Sequence, residues 1–184
     1  HHVTVLLGHE WYKSTGVNLG ASKSKMFSLN NTELGGAVID GQTASSARSD
    51  YNNEGYFLRA QYDYQNRIFA SASFRRDASS RFHPDNRWGS FWSVGASWRI
   101  NKEKFMKDIA WINDLKFKAS YGTQGNDGLT NNQPYLDQYQ VVPNGGEIGI
   151  NYIFRGNKDI TWEKSKSFNT GFEFRFWDRF SGIV

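Results

Sequence analysis

The 184-residue sequence has no cysteine and only three prolines, and its apolar residues never run together for more than a handful of positions. Without cysteine there is no disulfide framework and no thiolate metal site; that absence is compatible with an oxidising envelope compartment but does not require one. A helical membrane span needs roughly 18 consecutive apolar residues. A hydrophobic content of 38% and a mean hydropathy of −0.67 exclude such a helix. Scarce proline leaves β-ladders uninterrupted. Leu, Ile and Val are sparse, although branched aliphatics normally fill a soluble sandwich core; aromatics make up 16% instead. The net charge of +4 is spread along the chain, so no basic patch points to nucleic acid. No Ser/His/Asp order, Gly-rich phosphate loop or carboxylate pair stands out, and catalysis is not expected.

What the sequence does have is alternation. In Ser90–Ile100, Trp92, Val94, Ala96, Trp98 and Ile100 interleave with Ser93, Gly95, Ser97 and Arg99. Successive side chains of a strand point to opposite faces, so this segment has one apolar face and one polar face. Tyr56–Tyr64 sets Leu58, Ala60 and Tyr62 against Arg59, Gln61 and Asp63. Ile68–Asp77 sets Ala70, Ala72 and Phe74 against Ser71, Ser73 and Arg75. Leu115–Tyr121 opposes Phe117 and Ala119 to Lys116, Lys118 and Ser120, and Ser167–Phe176 opposes Phe168, Phe172 and Phe174 to Asn169, Glu173 and Arg175. A strand of roughly 9–11 residues, tilted about 45°, crosses a bilayer. The apolar face therefore meets either a second protein layer, as in a soluble carbohydrate-binding sandwich, or lipid. Composition favours lipid, because outer-membrane barrels put aromatics outward and polar residues inward.

Connection lengths separate the two readings further. With strands at Val3–Tyr12, 55–64, 68–77, 90–100, 115–122 and 166–176, and another beginning at 180, two links are about forty residues long: Lys13–Glu54 and Thr123–Ser165. Two others are tight turns, at Gln65-Asn66-Arg67 and Asp178-Arg179. The link Asn101–Asn113 has Phe105, Met106, Ile109, Ala110 and Ile112 at near-helical spacing. Outer-membrane barrels have long extracellular loops and short periplasmic turns. Placing both long links outside puts both tight turns, and the helical-looking link, in the periplasm. Tyr62, Tyr64, Trp98, Trp111, Phe176 and Trp177 then form an inner aromatic girdle.

Three strings tie this pattern to a family: FASASFRRDASSRF followed by WGSFWSVGASWRI within Asn53–Ile100, WINDLKFKASYGTQGN within Glu103–Asn126, and DITWEKSKSFNTGFEF within Asn157–Gly182. In order and spacing they resemble the C-terminal barrel region of SusC/RagA-type TonB-linked outer-membrane proteins. The resemblance covers most of residues 53–182. It implies an all-β, antiparallel transmembrane barrel of roughly 22 strands closed around an N-terminal plug, of which about seven strands lie in this chain. Residues 1–184 are then part of one barrel domain, with the plug and the TonB-contacting segment outside it. It also implies import of a glycan, oligopeptide or similar nutrient, energised by the TonB system and covered by a SusD-like surface lipoprotein. A non-transporting barrel scaffold is the alternative, and no cofactor is implied.

Alternation assigns the faces. Leu58, Phe74, Trp92, Val94, Trp98, Phe172 and Phe174 are expected to face lipid. Arg59, Asp63, Arg75, Asp77, Arg99, Glu173 and Arg175 are expected in the lumen, since Arg or Lys facing mid-membrane lipid costs roughly 2–4 kcal/mol. Arg76 has the lipid-side parity beside an outer loop, placed to meet lipid phosphates or to snorkel. Arg81, Phe82, His83, Arg87, Trp88, Tyr135 and Tyr139 are the candidates for contact with substrate or lid. The same loop reads equally as one fixed by its own hydrogen bonds and an aromatic lock. Trp162-Glu163-Lys164 reads as a strand entry or as a carbohydrate-stacking group. His1, His2, His9 and His83 lack zinc spacing. The polar run Gly125-Asn126-Asp127-Gly128 lacks the bidentate Glu of a calcium loop, so no metal is expected.

Overall fold

A computed structural model describes residues 1–30, 33–37 and 43–184. The described residues form nine strands: β1 (His2–Ser22), β2 (Thr43–Tyr64), β3 (Ile68–Ser79), β4 (Trp88–Arg99), β5 (Ile112–Asn126), β6 (Gln138–Asn144), β7 (Glu147–Phe154), β8 (Glu163–Phe176) and β9 (Phe180–Ile183). Seven make one sheet of order β1-β2-β3-β4-β5-β8-β9, and β6 pairs with β7 in a separate two-stranded sheet. The registered pairs of both sheets are antiparallel.

Three expectations are corrected. Lys13–Glu54 is not one long link, because β1 runs to Ser22 and β2 begins at Thr43. Residues 43–52 are polar or small apart from Tyr51, and in 13–22 only Val17 and Leu19 mark a brief alternation among Ser, Thr, Gly and Asn. Thr123–Ser165 contains the β6–β7 hairpin, and β5 and β8 extend into it from either side. The helical-looking link holds only two short 3-10 turns, Ile100–Lys102 and Lys104–Met106. Neither has a side-chain N-cap bond, and so short a segment does not offset the cost of helix nucleation.

The chain forms two compact units, His1–Tyr12 with Asn53–Val184, and Lys13–Asn52. The smaller is held by polar cross-strand ties. Ser22 and Thr43 hydroxyls lie 2.6 Å apart, and Thr15 Oγ1 donates to Asp50 Oδ1 at 2.8 Å. Thr15 and the Arg48 guanidinium hold the Asp50 carboxyl below the usual carboxylate range.

In the larger unit, register sorts the side chains onto two faces. On one, Leu58, Phe74 and Trp92 form a row, then Ala60, Ala72, Val94, Tyr121 and Phe168. The next rows are Tyr62, Ala70, Ala96, Ala119 and Thr170, then Tyr64, Ile68, Trp98, Phe117 and Phe172. No layer of described protein covers these rows: Trp92 is 43% exposed, Val94 47% and Phe74 45%. Buried apolar residues among those described are Ala78, Phe82, Phe91 and Trp162, far too few for a sandwich core.

Both tight turns take left-handed backbone. Gln65 and Asn66 have φ of 52° and 55°, and Trp177 and Asp178 have 51° and 52°. Primed turns of this kind match the twist of the flanking strands. An indole at positive φ is strained, and the turn is over-determined: Trp177 N–H donates to Trp111 O and Asp178 N–H to Asn113 Oδ1, both at 2.9 Å. The Trp111 and Trp177 rings stack at 5.2 Å.

Candidate functional site

The opposite face of the sheet carries the charges. Its rows are Arg59, Ser73, Ser93 and Gly122; Gln61, Ser71, Gly95, Ser120 and Asn169; Asp63, Phe69, Ser97, Lys118 and Gly171; and Arg99, Lys116 and Glu173. These groups are tied to one another. Lys118 and Lys116 both pair with Glu173, Arg99 lies 3.9 Å from Asp114, and the Ser73 and Ser93 hydroxyls are 2.6 Å apart. Asp63 closes the first turn by accepting Asn66 N–H at 2.8 Å. Asp114 and Arg175 are opposite one another in register. A groove of about 670 Å³ runs over this face, lined by Gln61, Asp63, Ser71, Ser97, Lys118 and Glu173 among others.

Toward the outer ends of β3 and β4 the groove gives way to a hollow of about 320 Å³ bounded by Ser73, Arg75, Asp77, Phe91, Gln124 and Trp162. Arg75 Nε donates to both carboxylate oxygens of Asp77 at 2.7 and 2.8 Å, and its Nη2 to Glu10 Oε2 at 3.0 Å. The Phe57 ring lies 5.8 Å from the same guanidinium. A planar fork used on two carboxylates is fixed in place, so Arg75 and Asp77 give the hollow a rigid, charged wall.

Behind the hollow lies the buried cluster. Phe82 is 1% exposed and packs on Trp162 at 5.5 Å between centroids; Phe91 meets the same indole at 5.3 Å. Trp162 Nε1 donates to Arg87 O at 2.8 Å, Thr161 Oγ1 to Asn86 O at 2.9 Å, and Asn86 Nδ2 to Lys158 O at 2.8 Å. From the third segment, Asp127 Oδ2 accepts the hydroxyl of fully buried Ser79 at 2.7 Å, and its backbone oxygen accepts Arg81 Nη1 at 2.8 Å. Arg81 Nε also donates to Asn132 at 3.1 Å. Three loop segments that are distant in sequence are thus bolted together.

This redistributes the expected contact residues. Phe82 has no surface to offer a ligand, because it is the centre of the lock. Arg81 is spent on Asp127 and Asn132. Trp88 lies opposite Ala78 and so on the apolar face, not in the groove, where it stacks on Tyr56 at 6.2 Å. The Trp162 indole is 8% exposed, which leaves it no free face for a sugar. His83 sits edge-on to Tyr135 at 5.8 Å and 3.3 Å from Asp85. Tyr139 lies on the hairpin, against Tyr152 at 5.4 Å. Among the described residues no group of three or more His, Asp or Glu side chains is placed to hold a metal ion.

The β6–β7 hairpin escaped the sequence reading, although Asn144-Gly145-Gly146 between two alternating runs is a strong hairpin signal. Gly145 and Gly146 have φ of 60° and 96°. In register, Tyr139, Val141, Pro143, Ile148, Ile150 and Tyr152 share one face. Val141, Ile148 and Ile150 are 70%, 78% and 67% exposed. The root is tight: a Cβ at Gly156 would lie 2.5 Å from Tyr135 O, and Gly156 N–H donates to Asp137 at 2.8 Å.

Comparison with known proteins agrees with this geometry. Residues 2–183 match the family described as TonB dependent receptor-like, beta-barrel. TonB-dependent receptor SusC of Bacteroides thetaiotaomicron is 34% identical over 147 residues, 76% of this chain and 14% of its own length. TonB-dependent receptor P39 of Formosa agariphila is 28% identical over 97% of this chain and 17% of its own. A chain of the RagAB peptide transporter superposes with a TM-score of 0.89 at 30% identity, covering 98% of this chain and 20% of that one. The chain thus spans no more than about a fifth of these relatives, and barrels of their family are outer-membrane proteins. The seven-stranded sheet with its segregated faces is barrel wall, and the chain belongs to the TonB-dependent receptor β-barrel family, of the SusC/RagA type.

Proposed function

We propose that this chain is a length of wall, with its outer loops, in an outer-membrane transporter that imports a nutrient such as a glycan or oligopeptide through the TonB system. The apolar side chains of Leu58, Phe74, Trp92, Trp98, Phe172 and their rows meet lipid; the Arg59, Arg75, Lys118 and Glu173 face lines the passage. The hairpin Gln138–Phe154 docks on a SusD-like surface lipoprotein that covers the mouth. The observation that carries the reading is the segregation of apolar and charged side chains, in register, across five strands, with Phe69 and Arg76 as departures. Similarity to the RagAB peptide transporter and to SusC supports the transport role. The exposed apolar face of the hairpin supports the docking role, since a two-stranded hairpin is marginal unless it packs on something.

The test is to replace Gln138–Phe154 in the full-length protein with a short Gly-Ser link. Co-purification of the lipoprotein and uptake should both fall while insertion into the outer membrane is unchanged. Unchanged association and unchanged uptake would remove the hairpin from the mechanism. Loss of association with uptake intact would assign it to assembly alone.

A further inference from the structure

The apolar face ends at a row of different chemistry. Beyond Leu58, Phe74 and Trp92 the next row is Tyr56, Arg76 and Ser90, and beyond that Glu54, Ala78 and Trp88. Arg76 is exposed, and its guanidinium carbon lies 5.2 Å from the centre of the Trp88 ring. Trp88 stacks on Tyr56, which stacks on His9 at 4.6 Å. The outward carboxylate nearest in register, Glu54, takes the Tyr56 hydroxyl at 2.7 Å and the His9 imidazole at 3.2 Å. Among the described residues no carboxylate lies within ion-pair distance of Arg76. Arg59, Arg75 and Arg99 have the opposite parity, toward the charged face.

Height fixes what this cation meets. From Ile68, at the tight turn, to Arg76 is about 26 Å along a strand rising about 3.3 Å per residue, or about 20 Å across the bilayer at a tilt near 40°. Trp88, one row farther, lies at about 25 Å, the height of the apolar band of such barrels. Indoles and phenols favour that boundary. A guanidinium over a ring presents a planar set of N–H groups, which suits it to the oxygens of a phosphate. Resting on the proposed membrane orientation, we propose that Arg76, over the Trp88 ring and opposite Tyr56 in register, binds the phosphate of an outer-leaflet lipid headgroup against the outside of the wall.

The full-length protein, reconstituted in phosphatidylcholine vesicles containing lipid A, tests this by native mass spectrometry of the lipid A retained after detergent extraction. Arg76→Gln should lower retention about tenfold, the size of one charge-assisted hydrogen bond. Arg76→Lys should keep part of it, and Arg59→Gln, an equal charge change on the opposite face, should keep all of it. Inorganic phosphate should not displace the lipid; displacement would mean a free-anion site and overturn the assignment to lipid. Equal retention by wild type and Arg76→Gln would also overturn it. Failure of the protein to float with the vesicles would sink the membrane orientation itself, and this site with it.

Discussion

Strands β3 and β4 and the hairpin β6–β7 are both antiparallel pairs with an apolar face, yet they lead to opposite conclusions. Behind Phe74, Trp92 and Val94 stands a face of paired charges and hydroxyls within a seven-stranded sheet. Behind Val141, Ile148 and Ile150 stand Gln140, Val142, Asn151 and Ile153 in a ladder of two strands, with no ion pair of their own. Alternation alone therefore does not name the partner of an apolar face. The chemistry of the other face supports the proposed difference: paired charges behind the one suit an aqueous passage, and the uncharged face behind the other suits a protein partner.

The lock between these two regions carries the largest expected effect. Phe82→Ala removes its central ring and should cost about 3–5 kcal/mol locally, as for other buried Phe truncations. Limited proteolysis at residues 78–88 and 125–132 would report it, and unchanged cleavage would mean the hairpin root does not depend on the lock. Next comes the contrast of faces. Val94→Arg, in the middle of the outward face, should cost about 2–4 kcal/mol on denaturant titration in vesicles. Ile150→Arg should leave that titration unaltered and weaken lipoprotein association. Equal effects of both substitutions on insertion would erase the distinction drawn here.

The sheet was legible because its physics is local. Trp92, Val94, Ala96 and Trp98 repeat every second residue, and a bilayer demands that repeat for its full thickness. The lock was not legible. Phe82, Phe91 and Trp162 meet only after three distant loops fold together, and nothing in the string SSRFH distinguishes a buried Phe from an exposed one. In sequence Trp88 reads among the loop residues that could touch substrate or lid; β4 begins at Trp88, so the alternation of Trp92 and Val94 reaches it and puts it on the apolar face. The 13–22 and 43–52 portions of β1 and β2 read as loop because only Val17 and Leu19 mark an alternation there, too brief among Ser, Thr, Gly and Asn to stand out as strand.

Smaller effects sharpen the comparison. Gly146→Val, at φ 96°, should cost about 1–2 kcal/mol in the hairpin. Hydrogen exchange should quicken across 138–154 and stay unchanged in β3 and β4. The smallest effect belongs to Asp50. Its carboxyl is held below the ordinary range by Thr15 and Arg48, so its contribution is present above the unfolded pKa and is lost as pH falls through the folded one. Protection of residues 43–52, corrected for intrinsic exchange, should decline modestly on acidification below about pH 4, and Asp50→Asn should abolish that decline.

The most direct measurement is spin labelling of neighbouring residues of β4. Nitroxide labels placed by Ser93→Cys and Val94→Cys in the full-length protein, reconstituted in vesicles, report collisions with dissolved oxygen and with a water-soluble nickel chelate. The label at 94 should meet oxygen and exclude nickel, and the label at 93 should do the reverse. Nickel reaching both positions, or neither responding to the bilayer, would contradict the assignment of the ring-bearing face to lipid.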